Sequence, residues 1–297
     1  MKIGLGTAQF GLDYGVSNRE GITPETEVAD ILEYAWGNGI TLLDTAVSYG
    51  SSEDVLGRSI PKNKDASFKI VTKTPIIKKD RIDKTDAARL KSVFHESLKR
   101  LKQKNLYGLL IHHADDLLRT GSQYLWEAME DLKAKGLLQK IGASVYSSKE
   151  IEELINKYSL DLIQLPLNVF DQRMIQNGHL QYLKSQGVEI HSRSIFLQGL
   201  LLMSPDELPV HFNAIKPLVK QYYEALKIQG ISPLSAALSF VNRQTEIDYI
   251  IVGVNNQEHL QEIVEAVSKT DALDKINFTE FAVMDKAIID PSLWNMS

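Results

Sequence analysis

The feature that most constrains the fold is a regular alternation of short apolar segments with helix-forming segments. Eight apolar segments have the length and composition of β-strands: KIGLG (2–6), ITLLDT (40–45), FKIVTK (68–73), LYGLLIH (106–112), QKIGAS (139–144), DLIQLP (161–166), VEIHSRS (188–194) and DYIIVG (248–253). Most of them are apolar runs without polar alternation, which is typical of strands covered on both faces. The pattern predicts eight parallel strands.

The segments between these strands have helical signals. Residues 23–39 offer Thr23 as an N-cap, Pro24 in the first turn and a glycine at the end, which are the usual boundary signals of a helix. Residues 84–103 carry apolar side chains at helical spacing, and residues 122–136 and 147–158 repeat that pattern. Each predicted strand pair is therefore expected to enclose a helix.

No linker, low-complexity tract or charge block divides the chain, so we predict one α/β domain over residues 1–297. A (β/α)8 barrel, the TIM barrel, is favoured over a doubly wound sheet, because eight strands would make such a sheet unusually large. Residues 195–232 are expected to form an elaborated loop followed by a helix. In a barrel of this kind the chemistry lies at the C-terminal ends of the strands.

Composition and charge exclude several classes of function. The 297 residues contain 33 basic and 38 acidic side chains, with no basic stripe for nucleic acid. Cysteine is absent, which excludes disulfides and thiolate chemistry. No apolar run reaches the roughly 18 residues of a membrane helix, and the N-terminal residues do not resemble a signal peptide. We expect a cytoplasmic monomer or weak homo-oligomer that acts on a small molecule, without nucleic acid or membrane partners.

Polar residues end several of the predicted strands and suggest a chemistry. Asp44, Lys73 and His112 close three successive strands, and Tyr49 follows Asp44 by five residues. A buried Lys73 needs a carboxylate partner, which Asp44 can supply. A nearby ammonium lowers the pKa of a phenol, and an imidazole can orient a carbonyl oxygen. Such a group suits proton delivery to a developing alkoxide.

Eight pieces of the sequence, in this order, resemble the aldo-keto reductase family: GLGTAQFG, LLDTAVSYGSSEDVLG, IVTKT, LLIH, IGAS, IQLPLNVFDQR, SRSIFLQGLL and IIVGVNNQEHLQE. The match spans roughly residues 4–262, and its specific part is the DTA, YG, SE and LG spacing followed by the strand-end lysine and LLIH. The resemblance implies an NAD(P)H-dependent oxidoreductase that reduces an aldehyde or ketone to an alcohol.

The resemblance also implies the catalytic residues. Asp44, Tyr49, Lys73 and His112 match the family's tetrad. Tyr49 is expected to be the general acid, with its pKa lowered by Lys73, while Asp44 holds Lys73 and His112 orients the substrate carbonyl. The loop after His112 and the C-terminal tail are short, which suggests an open site suited to a polar or sugar-like carbonyl.

A cofactor site follows from the same resemblance. Its expected residues are Gly6, Thr7, Ser144, Gln164, Arg193, Ser194, Gly253, His259 and Glu262. Ser144 and Gln164 match the pair that holds the carboxamide, and Glu262 matches the contact with adenine. The loop after Arg193 and the turn at Gly253 match the pyrophosphate and ribose sites, consistent with phosphate binding after barrel strands seven and eight.

Three departures from the family pattern affect the cofactor site. Val145 stands where the family usually has Asn, which removes one carboxamide hydrogen bond. Arg193 stands where an aromatic residue commonly stacks on nicotinamide, and its charge would favour the neutral reduced cofactor or hold an acidic substrate. Gly253, Val254 and His259 stand where many members carry a Lys-Ser pair and an Arg for the 2′-phosphate. NADP(H) is favoured as the family's usual cofactor, with NAD(H) as the alternative.

Two other functions stay open at this point. A Schiff-base lyase or aldolase would use Lys73 as its nucleophile, although a carboxylate at Asp44 favours a charged lysine. A cofactor-binding regulatory subunit with vestigial reductase activity is the other class. The complete tetrad argues against it, while Val145 and Arg193 leave it open.

The remaining motifs are expected to be structural. GLGTAQFG does not have the spacing of a dinucleotide fingerprint, and the other histidines lack ligand spacing, so no metal site is expected. His113 lies on the opposite side of the strand alternation from His112 and is expected to face solvent or a helix. Trp36 and Trp126 are expected to pack in the core, and Trp294 either to pack or to line a pocket.

Overall fold

The eight predicted strands all form in the computed structural model, which describes residues 2–61, 67–268 and 276–294. They are β1 (Ile3–Gly6), β2 (Leu42–Asp44), β3 (Lys69–Lys73), β4 (Leu106–Ile111), β5 (Leu138–Ser144), β6 (Leu162–Pro166), β7 (Glu189–Arg193) and β8 (Tyr249–Gly253). Each strand pairs in parallel with the next, and β8 pairs with β1, so the sheet closes. The predicted (β/α)8 barrel is confirmed, with strand ends shifted by one or two residues.

Helices surround the barrel. The α-helices of the described residues are α1 (Glu25–Gly37), α2 (Ser52–Ser59), α3 (Lys84–Leu101), α4 (Asp115–Leu118), α5 (Gln123–Ala134), α6 (Ser148–Ile155), α7 (Arg173–Gln176), α8 (His179–Ser185), α9 (Lys216–Gln229), α10 (Pro233–Asn242), α11 (Gln257–Ser268) and α12 (Lys286–Ile289). The segment after β7 contains short 3-10 turns from Leu200 to Ile215 and then α9, as predicted. None of these helices is long and apolar enough to span a membrane.

The two ends of α1 differ in how well the sequence predicted them. Thr23 does not cap the helix: Pro24 occupies the N-cap position, and the buried Thr23 hydroxyl has no partner in the described structure. The Thr23 backbone N–H donates to the Gln9 carbonyl, which draws this residue into the loop after β1. At the other end, Gly39 adopts a φ of 75°, and the N–H groups of Gly39 and Ile40 donate back to the last turn, as expected for a glycine-terminated helix.

The lower half of the barrel is filled and closed by side chains. Leu42, Val71, Tyr107, Leu110, Leu162 and Ile251 pack together inside it. Beneath them the Glu189 carboxylate accepts hydrogen bonds from Tyr107 (2.7 Å) and Lys140 (2.5 Å) and lies 2.8 Å from His191 Nε2. Burial raises the pKa of Glu189, but its hydrogen bonds to His191, Lys140 and Tyr107 outweigh burial and lower the pKa to about 2. This end of the barrel is therefore closed by a charged structural cluster.

The strand register gathers polar residues at the opposite end. Gly6 lies beside both Asp44 and Gly253, and Ser144 lies beside Gln164. Because the strands are parallel, their last residues meet at one mouth of the barrel. The three tryptophans lie elsewhere and pack against other rings, in the pairs Trp36–Phe68, Trp126–Tyr158 and Trp294–Phe212.

Candidate active site

A cavity of about 660 Å³ opens at the C-terminal mouth of the barrel. All of the predicted site residues except Lys73 line it, namely Gly6, Thr7, Asp44, Tyr49, His112, Ser144, Gln164, Arg193, Ser194, Gly253, His259 and Glu262. The structure therefore brings residues from seven strand ends, the turn after β2 and helix α11 to one place.

Behind the cavity wall, Lys73 and Asp44 form a buried ion pair. The Lys73 Nζ lies 2.6 Å from Asp44 Oδ1, with 1% and 5% of the two side chains exposed. The ammonium also donates to the Thr45 carbonyl at 2.9 Å. Gln164 Nε2 donates to the second Asp44 oxygen at 2.7 Å, a contact that the sequence did not predict. Burial lowers the pKa of Lys73, and the charge and hydrogen bond of Asp44 oppose that shift.

Tyr49 sits on the tight turn that follows β2. The Tyr49 N–H donates to the Ala46 carbonyl at 3.0 Å. Gly50 has a φ of 55°, and a Cβ at that position would lie 2.1 Å from the Gly11 carbonyl oxygen, so glycine is required there. The Lys73 Nζ lies 5.0 Å from the centroid of the Tyr49 ring.

The pKa of Tyr49 corrects one expectation. Burial of the phenol raises this pKa, and the negative charge of Asp44 raises it further, whereas Arg193 lowers it. The prediction that Lys73 lowers the Tyr49 pKa is therefore wrong in its net direction. Asp44 lies against the Lys73 ammonium and offsets its field, and the burial of the phenol dominates.

His112 follows the last residue of β4 and faces the cavity. Its ring meets the Tyr49 ring edge to face, with centroids 5.9 Å apart. The His112 backbone N–H donates to Thr74 Oγ1 at 3.2 Å, and His112 Nδ1 lies 3.2 Å from Ser48 Oγ. Burial, followed by the charge of Lys73, lowers the pKa of His112 from 6.5 to about 3. The imidazole is therefore neutral near pH 7.

His113 takes a different environment from its neighbour. Its half-buried ring lies beside both His112 and Tyr146, with centroids 5.4 and 6.3 Å away. His113 is not among the residues that line the described cavity. It packs between the β4 and β5 loops, so the expectation that it faces solvent or a helix is only partly met.

A buried hydroxyl network fixes the start of α2 to the strand ends. Ser52 Oγ lies 2.8 Å from Thr7 Oγ1 and 3.1 Å from Thr45 Oγ1, and it donates to the Thr7 carbonyl at 2.8 Å. Thr7 Oγ1 also donates to the Asp44 carbonyl at 3.0 Å. The Thr7 hydroxyl is thus hydrogen-bonded to other protein groups, while Thr7 itself remains part of the cavity lining.

The loop after β7 forms the wall nearest the expected cofactor phosphates. Ser194, Leu197 and Gln198 have positive φ values of 59°, 48° and 54°, and Gly199 follows at 94°. Left-handed non-glycine residues are uncommon and mark a tightly coiled backbone at functional sites. The Val16 N–H donates to the Gln198 carbonyl at 3.0 Å, which attaches this coil to the loop after β1.

The cavity fits a nicotinamide dinucleotide in the chemistry of its wall. It reaches from Tyr49 and His112 to His259 and Glu262 on α11, and it is bordered by the coiled loop after β7. Gly6 and Gly253 lie side by side in the register, and the Gln9 amide packs where a Gly253 side chain would lie. Hydroxyl, amide and guanidinium groups line the remainder together with apolar side chains such as Phe196 and Leu234 and the carboxylates of Glu20 and Glu262, and such a mixture is typical of cofactor sites.

Arg193 does not present a free stacking surface. Its guanidinium lies over the Tyr146 ring, with Cζ 4.1 Å from the centroid. One terminal nitrogen donates to the Val145 carbonyl at 3.0 Å and the other to Ser194 Oγ at 3.2 Å. The two departures of the sequence, at Val145 and Arg193, are therefore in direct contact.

Sequence reasoning missed several residues of the cavity and its support, among them Tyr14, Arg19, Ser48, Tyr146 and Gln198. Ser48 and Tyr146 directly adjoin Tyr49 and Val145, so closeness to a motif was an available signal. Tyr14 and Arg19 come from the loop after β1, where nothing in the sequence indicated a site. Among the residues described, no cluster of three or more His, Cys, Asp or Glu side chains is arranged to hold a metal ion.

A closed eight-stranded barrel with Asp, Tyr, Lys and His at its mouth defines a class of oxidoreductases that act on carbonyl groups. The sequence model of the Aldo/keto reductase family matches residues 2–285, and the chain belongs to that family. Members of this family use nicotinamide cofactors.

Individual relatives are similar over nearly their whole lengths. The aldo-keto reductase YhdN of Bacillus subtilis is 26% identical over 313 residues, covering 98% of this chain and 92% of the relative. An NADH-specific methylglyoxal reductase of Escherichia coli is 26% identical over 306 residues, covering 90% of each chain. A solved aldo-keto reductase from Bacillus halodurans, in its holo form, shares the fold with a TM-score of 0.72 at 20% identity, covering 100% of this chain and 93% of that one.

Proposed function

We propose that the protein reduces an aldehyde or ketone to an alcohol, with Tyr49 as the proton donor. The observation that carries this proposal is the meeting of Tyr49, His112 and the Lys73–Asp44 pair at one cavity. When bound, the reduced nicotinamide supplies hydride to the carbonyl carbon. The protein's part is to hold the substrate and to deliver a proton to its oxygen.

The electrostatics support Tyr49 as an acid. Burial raises its pKa, so the phenol is protonated at neutral pH. As an alkoxide develops on the substrate oxygen, the Tyr49 hydroxyl proton moves to it. The Lys73 ammonium, 5.0 Å from the ring centroid, then stabilises the phenolate that is left. Asp44, Thr45 and Gln164 keep that ammonium and its counter-ion in place.

His112 is proposed to orient the substrate carbonyl. The ring is neutral near pH 7 and carries one N–H. If the Ser48 hydroxyl donates to Nδ1, the proton lies on Nε2, where it can donate to a carbonyl oxygen. Ser48 thereby becomes the residue that selects the His112 tautomer.

For the cofactor, Ser144 and Gln164 are proposed to hold the carboxamide, and Ser194 together with the loop after β7 is proposed to hold the pyrophosphate.

NADP(H) is the proposed cofactor. Arg19 supports this choice, because it lines the same cavity as His259 and supplies a cation for a 2′-phosphate. This choice is tested by titrating the protein with NADPH and with NADH and following protein fluorescence. Arg19→Gln should raise the Kd of NADPH about 10-fold and that of NADH much less. Tighter binding of NADH by the unaltered protein would contradict the choice.

The enzymatic proposal is tested with a panel of aldehydes, ketones and keto-sugars, monitored by loss of NADPH absorbance. Tyr49→Phe should lower kcat by about 10²–10⁴-fold while leaving cofactor affinity nearly unchanged, since only the transferable proton is removed. If neither NADPH nor NADH is oxidised in a single turnover with any carbonyl compound, the regulatory-subunit alternative replaces the enzymatic one.

The structure gives less support to Lys73 as a Schiff-base nucleophile. Its ammonium is held by two acceptors and lies behind the cavity wall, not among the residues that line it. Treatment with borohydride in the presence of a carbonyl compound, followed by mass spectrometry, should leave Lys73 unmodified. A stable adduct on Lys73 would favour the lyase alternative.

A further inference from the structure

Arg193 lies at the mouth of the barrel, and no carboxylate of the described residues is in ion-pair contact with it. Arg100, Arg119 and Arg173 each contact a carboxylate at 2.6 to 2.8 Å. Within the described ranges, the contacts of the Arg193 guanidinium are instead the Val145 carbonyl, Ser194 Oγ and the Tyr146 ring, all of them neutral. A half-buried cation in this position gains from an anion that is not part of the protein.

The Arg193 contacts also hold the guanidinium in one orientation. Each terminal nitrogen donates one hydrogen bond, and the face of the group lies on the Tyr146 ring. Of the five N–H donors of an arginine, two have acceptors among the described residues, and three remain. An arginine held in this way presents parallel donors that match the oxygens of a carboxylate or phosphate.

This charge acts on the reaction end of the cavity. Arg193 lines the same cavity as Tyr49 and His112, and its field lowers the pKa of both groups. The other charges nearby, Lys73 and Asp44, oppose each other within their ion pair. The Glu150 carboxylate also feels the Arg193 charge, but it accepts hydrogen bonds from the Tyr146 and Ser147 N–H groups and does not line the cavity. At the cavity wall beside Tyr49, Arg193 is therefore a cation without an ion-pair partner among the described residues.

We propose that Arg193 is a binding site for an oxyanion, and that the substrate carries a carboxylate or phosphate group in addition to its carbonyl. The inference rests on the proposed carbonyl reduction and extends it to a class of substrate. The carbonyl oxygen is held by Tyr49 and His112, while the anionic group lies against the Arg193 guanidinium. The same oxyanion chemistry exists in the pyrophosphate of the cofactor, so the experiment separates the two sources.

The test compares 4-carboxybenzaldehyde with its neutral methyl ester as substrates. The unaltered enzyme should favour the carboxylate by about 10-fold or more in kcat/KM. Arg193→Gln should abolish this preference, and Arg193→Lys should retain part of it because it keeps the charge. Arg89→Gln is the matched control: it removes one positive charge from an exposed helix position and should leave the preference unchanged.

A second measurement does not depend on turnover. Benzoate, which has the carboxylate but no reducible carbonyl, should quench protein fluorescence with a Kd that Arg193→Gln raises about 10-fold or more and Arg89→Gln does not change. In Arg193→Gln the Kd of NADPH should change much less than the Kd of benzoate, and Arg89→Gln should change neither.

The outcomes distinguish this inference from the proposed function. Reduction of the methyl ester without any preference for the carboxylate, or a preference that survives in Arg193→Gln, overturns the oxyanion site. A loss of NADPH affinity in Arg193→Gln with an unchanged substrate preference also overturns it, because the charge then serves the cofactor. If neither aldehyde is reduced but benzoate binding still depends on Arg193, the oxyanion site stands and the reductase proposal fails.

Discussion

The buried pair of Lys73 and Asp44 allows a sharp test through a double-mutant cycle of Asp44→Asn and Lys73→Met. Removing one partner of a buried ion pair typically costs 3–5 kcal/mol, because the other charge is left without compensation. Here each remaining charge keeps one hydrogen bond, from Lys73 to the Thr45 carbonyl or from Gln164 to Asp44. We therefore expect each single variant to lose about 3 kcal/mol of unfolding free energy, at the lower end of that range.

The double variant should lose far less unfolding free energy than the sum of the losses in the two single variants. Both charges are then gone, and an amide and a thioether of similar volume fill the space, a replacement that is often nearly neutral. We expect a total loss below about 3 kcal/mol and hence a coupling energy of about 3 kcal/mol. Urea unfolding followed by circular dichroism measures all four proteins. Additive losses would refute the conclusion that the two charges depend on each other.

The pH dependence of the stability of Asp44→Asn provides an independent check of the charge coupling between Lys73 and Asp44. Burial already lowers the pKa of Lys73, and loss of the Asp44 charge should lower it further. The unfolded chain then binds one more proton than the folded protein between the two pKa values, so stability should rise with pH in that window. The loss caused by Asp44→Asn should therefore be smaller at pH 9 than at pH 6. The double variant has no lysine at this position and should lack that trend.

Three further predictions concern other parts of the fold. His112→Ala should lower kcat/KM by about 10²-fold or more, and His113→Ala should retain most of the activity; equal losses in steady-state assays would contradict the assigned roles. Because the pKa of His112 falls from 6.5 to about 3 on folding, unfolding free energy should decrease as the pH drops below 6.5, by up to about 1.4 kcal/mol per pH unit. His112→Gln should remove this contribution to the pH dependence of the unfolding free energy, measured by urea unfolding at several pH values. An unchanged pH dependence would contradict the assignment of this effect to His112. Gly57→Ala would place a Cβ 1.9 Å from the Arg100 carbonyl oxygen and should lower the free energy of unfolding by about 2–3 kcal/mol. In Gly37→Ala the new Cβ meets nothing within 4 Å, so the free energy of unfolding should rise by about 0.5–1 kcal/mol. Similar shifts of the melting temperature in both variants would refute the packing argument.

The barrel was predictable because its strands are buried on both faces and so appear as short apolar runs. Asp44, Lys73 and Tyr49 were predictable because they occupy strand ends and a turn with a specific spacing. Spacing does not specify burial or the direction of a side chain, which explains the two main errors. Thr23 has the composition of an N-cap but is drawn into a backbone contact with Gln9. Tyr49 lies near an ammonium, yet its burial decides the sign of its pKa shift.

The role of Arg193 was beyond sequence reasoning for the same reason. The departures at Val145 and Arg193 were visible as separate anomalies of the family pattern. Their contact through the Val145 carbonyl depends on how the β5 and β7 loops approach each other, as does the position of Tyr146 under the guanidinium. In the fold the two departures are one feature, an arginine fixed by the loop after β5.

Gln164 links Asp44 to the proposed carboxamide site, because its side-chain NH2 donates to Asp44. A carboxylate only accepts hydrogen bonds, so Asp44 requires that Gln164 turn its NH2 group towards it. The Gln164 carbonyl oxygen is then directed away from Asp44 and can accept a hydrogen bond from a carboxamide. Asp44→Asn removes this constraint, because the asparagine side chain can both donate and accept, whereas Lys73→Met leaves it intact. We therefore expect Asp44→Asn to weaken cofactor binding more than Lys73→Met does, in fluorescence titrations. Equal affinities would show that the orientation of Gln164 does not depend on Asp44.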